Sequence, residues 1–81
     1  MRIDKFLKVS RILKRRALGK EATDKGRVKV NGKAVKPAFQ VKEGDLVEVL
    51  FNSGTLKFEI VAVKETVKKE ETSSLYEIIS E

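Results

Sequence analysis

The sequence predicts an α+β fold, with two short N-terminal helices packed on a small, mainly antiparallel β-sheet. Three observations carry this. Apolar residues recur at helical spacing through the first 25 positions. From Arg27 the period changes to two, in "RVKV". The pair Asn31–Gly32, the strongest short hairpin signal, then separates that run from "KAVK". A length of 81 residues suits one small domain with a modest core.

Ile3, Phe6 and Leu7 place a first helix over about Arg2 to Val9. Asp4 lies in its first turn, where a negative charge suits the helix dipole. Arg2, Lys5 and Lys8 form a row away from the apolar stripe. Ser10 and Arg11 break the helix, and Ile12 and Leu13 are expected to be buried. A second helix fits Arg15 to about Lys25, with Ala17, Leu18 and Ala22 as its expected buried side. Arg16, Lys20 and Asp24 share its exposed row. Gly19 lowers helix propensity by about 1 kcal/mol relative to Ala. A glycine there permits close packing or close approach of RNA, and the sequence leaves both open. Gly26 suits the left-handed position that ends a helix.

After the hairpin, Pro37 ends the pairing and "KEGD" (Lys42–Asp45) makes a turn. "LVEVLF" and "LKFEIVAV" read as strands joined at Asn52–Gly54. "KETVKKEETSS" reads as a polar loop. "LYEII" (Leu75–Ile79) is too apolar for a free tail and is expected to dock as a strand or short helix. This divides the chain into a domain over residues 1–63 and a C-terminal extension over 64–81.

Charge is distributed unevenly. Residues 1–36 hold thirteen Lys or Arg against three Asp or Glu, a net +10, whereas residues 37–81 hold five against nine, a net −4. A one-sided basic block points to a polyanionic partner. The sharpest local feature is the start of the second helix. Its first N–H groups lack intrahelical partners and its dipole end is positive, yet it carries Lys14, Arg15 and Arg16. The arrangement becomes favourable when an anion sits there, because backbone N–H groups and arginine forks converge on a phosphate. With Arg2, Lys5 and Lys8 from the first helix, Lys20 from the second, and Arg27 and Lys29 from the following strand, a basic face for nucleic acid is predicted.

Other chemistries are poorly served. The chain has no Cys and no His. Thiol chemistry, His-based acid–base catalysis and the commonest zinc sites are thereby excluded. There is no P-loop and no paired carboxylates, and no serine has a His to activate it. Neither a catalytic residue, a cofactor site nor a metal site is expected. No apolar run approaches the roughly 20 residues of a membrane span, and the start lacks a signal peptide's apolar region, so a cytoplasmic protein is expected.

"RIDKFLKVSRILKRRALGKEATDKGRVKVNGKAVK" resembles the RNA-binding domain named after the fourth protein of the small ribosomal subunit. The matching residues are Arg2, Ile3, Asp4, Lys5, Phe6, Leu7, Arg11, Arg16, Gly26, Val28, Val30, Asn31 and Gly32, and "VKEGDLVEV" fits the closing strand. The resemblance implies the alpha-L RNA-binding motif. Among stand-alone versions it is greatest for the RqcP (YabO) type of ribosome-associated quality control factor, and next for the heat-shock ribosome-binding type. The former implies a non-catalytic monomer that binds rRNA and peptidyl-tRNA on obstructed large ribosomal subunits. It would hold the tRNA while an RqcH-type elongation factor adds alanine to the stalled chain. The latter implies a general rRNA-binding heat-shock or assembly factor. Carried over, Arg2 and Arg16 are the foremost RNA contacts, supported by Lys5, Lys8, Lys14, Arg15, Lys20, Arg27 and Lys29. Asn31 shapes the hairpin rim and is a further candidate for a sugar–phosphate contact.

Overall fold

A computed structural model of the protein describes residues 1–79; Ser80 and Glu81, the end of the expected extension, lie outside the described residues. The element order is α1 (Ile3–Val9), α2 (Arg16–Asp24), β1 (Val28–Val30), β2 (Lys33–Ala34), β3 (Leu46–Phe51), β4 (Gly54–Ile60), a 3-10 helix (Lys69–Leu75) and β5 (Tyr76–Ile78). The strands form one antiparallel sheet in the order β2-β1-β3-β4-β5. No helix among the described residues is long and apolar enough to cross a membrane.

Alternation in the strands builds the core. Val28 and Val30 of β1, Val47 and Val49 of β3, and Phe58 and Ile60 of β4 are all buried on one face of the sheet. Against them pack Ile3, Phe6 and Leu7 of α1, with the Phe6 and Phe58 rings stacked at 6.3 Å. The other sheet face carries Lys29, Glu48 and Lys57 in one cross-strand row. The N-terminal segment is pinned beside α1, where Ile3 N–H donates to Phe39 O at 2.8 Å and Val41 N–H to Met1 O at 2.9 Å.

The hairpin β1–β2 turns through Asn31 and Gly32, both with positive φ (52° and 87°). Both ends of the Asn31 amide are used. Its Oδ1 accepts from Leu46 N–H at 3.0 Å, and its Nδ2 donates to Asp45 Oδ1 at 3.2 Å. Buried Asp45 also accepts from the Lys42 backbone N–H at 2.9 Å and from Lys42 Nζ at 3.2 Å. Burial alone would raise the Asp45 pKa. The Lys42 N–H, the Asn31 amide and the Lys42 ammonium outweigh it and hold the carboxyl below its ordinary 3.8. A depressed carboxylate contributes stability that is complete above its unfolded pKa and disappears as pH falls through its lower folded pKa. The melting temperature is therefore expected to drop as pH goes below about 4. Asp45→Asn should melt lower at neutral pH and show a shallower acid limb in a thermal scan series. An unchanged limb would remove Asp45 from the acid transition.

Several expectations are corrected. First, the buried side of α2 is Gly19 and Thr23, with Ala22 half-buried; Ala17 is exposed and Leu18 is 42% exposed. α2 meets α1 through its smallest side chains, because a Cβ on Gly19 would lie 3.0 Å from Asp4 O and 3.2 Å from Asp4 Cα. Gly19 thus serves close helix packing. Ile12 and Leu13 are only half-buried. Second, "KEETSSL" is a 3-10 helix rather than a loop. Its polar side chains close locally: Glu71 Oε1 accepts from Lys68 N–H, and Thr72 Oγ1 and Ser74 Oγ donate to backbone carbonyls. Third, β4 stops at Ile60, and the N–H groups of Val61 and Ala62 instead donate to Leu75 O. The apolar end does dock as a strand. β5 pairs with β4, Leu75 is fully buried, and Tyr76 is half-buried with its ring edge-on to Phe58 at 5.4 Å.

Candidate nucleic-acid interface

The two helices meet at Asp4, and the meeting point explains the cations at the start of α2. Asp4 is only 2% exposed. Its carboxylate accepts two bonds from Arg2, from Nε at 3.2 Å to Oδ1 and from Nη2 at 3.1 Å to Oδ2. Arg16 Nε lies 3.5 Å from the same Oδ2. Arg2 precedes α1 and Arg16 is the first residue of α2, so the close packing at Gly19 brings both to one anchor. The arginine side chains remain 41% and 49% exposed. Their guanidinium groups are thus gripped on one side and open on the other. An arginine fork held in this way loses less conformational entropy on meeting a phosphate.

The rest of the α2 start has no internal anion among the described residues. Arg15 occupies the N-cap position in an extended conformation, without a capping side chain, and no acidic residue lies in the first turn. Lys20 follows Arg16 one turn on and is exposed. Lys5 pairs with Glu65, and the ammonium beside it holds the Glu65 carboxyl below its ordinary value. Lys8, near the C-terminal end of α1, and Lys14, in the segment that follows it, line a cleft with Arg11.

Not every expected contact joins this group. Lys29 lies opposite Glu48 on the sheet face turned away from the helices, and lines a shallow hollow there with Arg27. The Asn31 amide is spent on Asp45 and Leu46, which makes it part of the hairpin frame. The residue that local reading undervalued is Asp4. As a first-turn acid it looked like a dipole complement, whereas its partners are two arginines from separate elements. The available signal was its position as one of only three acids in the basic block.

Both the sequence and the fold match known proteins. The S4 domain pattern matches residues 1–47. Along its whole length the chain is 53% identical to a Halalkalibacterium halodurans protein called "RQC P-site tRNA stabilizing factor", covering 92% of that protein. It is 46% identical over its full length to a Bacillus subtilis protein of the same name, covering 94% of it. Among solved structures, the trimeric Heat Shock Protein 15 of Vibrio cholerae superposes with a TM-score of 0.92 at 25% identity, over 99% of this chain and 82% of that one. The α1–α2 pair and the β1–β2 hairpin fall inside the matched segment, and so do Arg2, Asp4 and Arg16. The chain therefore belongs to the S4 domain family.

Proposed function

We propose that this protein is a non-catalytic RNA-binding factor that steadies P-site tRNA on obstructed large ribosomal subunits during ribosome-associated quality control. The observation that carries the reading is the pair of half-exposed arginines on one buried carboxylate, in a chain similar from end to end to proteins called P-site tRNA stabilizing factors. Arg2 and Arg16 form the primary phosphate contact, extended by Lys5, Lys20, Arg15 and the cations at the far end of α1. Catalysis of alanine addition belongs to an RqcH-type elongation factor on the same particle. The protein works in the cytoplasm, as a monomer. Light scattering checks the free state, since its structural neighbour is described as trimeric.

The test is co-sedimentation with large subunits that carry peptidyl-tRNA and with vacant ones. Clear enrichment on the tRNA-carrying particles is expected. Equal retention on both would sink the tRNA reading. The resemblance to the heat-shock ribosome-binding type gives a second reading, a general rRNA-binding heat-shock or assembly factor; preferential binding of precursor rRNA would decide for it.

A further inference from the structure

The segment after β4 comes back to α1 and is held in an unusual way. Among the described residues, positions 63–67 make no backbone hydrogen bond, whereas both flanks are tied. Before the segment, the N–H groups of Val61 and Ala62 donate to Leu75 O at 2.8 and 3.2 Å. After it, Lys68 N–H donates to Glu71 Oε1, and Lys68 O accepts from Glu71 N–H at 2.9 Å. Between these ties only side chains hold the chain. Val63 and Val67 rest half-buried against the core, and Glu65 pairs with Lys5 of α1.

Glu65 is thereby set among cations. Beyond Lys5, it faces Lys8, Lys14 and Arg11 across a cleft, Arg11 lying in the left-handed turn (φ 64°) that follows α1. The acid on α1 itself, Asp4, is buried and spent on Arg2 and Arg16. Glu65 is therefore the carboxylate that an incoming phosphate meets at Lys5. The pair is open to water on both sides, with side chains 34% and 69% exposed, so it adds little to folding. It is also easily exchanged for another anion. Lifting the segment breaks no backbone hydrogen bond, which puts it at the low-stability end of the structure.

We infer that residues 63–67 are an autoinhibitory strap, in which Glu65 occupies Lys5 in the free protein and must be displaced before RNA can cover α1. The inference rests on the RNA-binding reading above and concerns the regulation of that face. The strap works as an internal competitor. A polyanion that reaches only the arginine pair leaves Glu65 in place and is repelled by it, whereas one that spans α1 takes Lys5 and lifts the strap. A repulsive charge of this kind lowers affinity for every anion and least for the one that can displace it.

The test is a gain of binding on removing a charge. Glu65→Gln should bind tRNA about threefold more tightly than the parent in fluorescence anisotropy, as expected for freeing one cation from an exposed pair. Glu70→Gln, which removes an exposed acid of the 3-10 helix, is the control and should leave affinity near the parental value. In a Lys5→Gln background the gain from Glu65→Gln should largely vanish, because the cation to be freed is gone. All titrations are run at a temperature where circular dichroism shows each variant folded, so an unfolded fraction cannot mask a gain. Parental or weaker binding by Glu65→Gln would overturn the inference. So would an equal gain from Glu70→Gln, or a gain undiminished without Lys5, since either marks a general charge effect. Arg16→Ala run in parallel separates the two levels. If it binds like the parent, the RNA-binding reading itself fails; if it binds weakly while Glu65→Gln is unchanged, only the strap falls.

Discussion

Replacing Arg2 and Arg16 together by Ala is expected to lower RNA affinity about a hundredfold, from the loss of two charge-assisted phosphate contacts. It should also cost about 2 kcal/mol of stability, and only that second loss should be recovered by adding Asp4→Ala. Asp4 is nearly inaccessible to water and receives three contacts from these two side chains. Removing both cations leaves a buried carboxylate uncompensated. For fully buried pairs that penalty reaches 3–5 kcal/mol; half-exposed arginines place this one lower. The single variant Arg16→Ala avoids the penalty, because Arg2 keeps its two bonds to Asp4. It should fold like the parent and bind about tenfold less well, as expected for one lost charge-assisted contact. Urea unfolding and anisotropy titrations on the single, double and triple variants separate the terms. A triple variant that binds RNA like the parent would remove both arginines from the interface.

How much of this was legible beforehand depended on whether a feature was local. Val28, Val30 and the Asn31–Gly32 pair announce the hairpin, because alternation and a left-handed turn are properties of neighbouring residues. Arg16 likewise stands out as a cation in the wrong place for a helix start, and Arg2 as part of the basic row on the first helix. What receives them was only partly visible. The charge argument asked for an anion from outside, and the structure supplies one from inside the chain as well, through Asp4. No rule of spacing links Asp4 to Arg16, since their contact exists only after α1 and α2 have packed. The same holds for the buried face of α2. Hydrophobicity points to Ala17 and Leu18, but a seam of closely approaching backbones selects for small size, and Gly19 and Thr23 win. Thr23 turns its hydroxyl back onto the carbonyls of Gly19 and Lys20, so its polar group costs little there. The left-handed turn at Arg11 was hidden for the converse reason: the residue type argues against the conformation it adopts.

Gly19 is where fold and function are expected to fail together. Replacing a helical glycine by Ala gains about 1 kcal/mol of propensity. Here the new Cβ would stand 3.0 Å from Asp4 O and 3.2 Å from Asp4 Cα, which are backbone atoms that cannot rotate away. For Ala the two effects nearly cancel, and a change within about 1 kcal/mol is expected. For Val, two further carbons enter the same seam and the propensity gain shrinks, giving a loss of about 2–3 kcal/mol. Relief comes only by moving α2 away from α1. That movement lengthens the Arg16–Asp4 contact, already 3.5 Å, and releases Arg16 from its anchor. Gly19→Val should therefore bind RNA several-fold more weakly under conditions where it is still fully folded, although its substituted side chain faces the other helix and not the ligand. Leu18→Ala, one residue away and 42% exposed, is the control and should alter neither property. If Gly19→Val were as stable as the parent, the helices could not approach as closely as described, and the carboxylate anchor would lose its geometric basis. If it were destabilised yet bound RNA normally while folded, the arginines would not depend on Asp4 for their position.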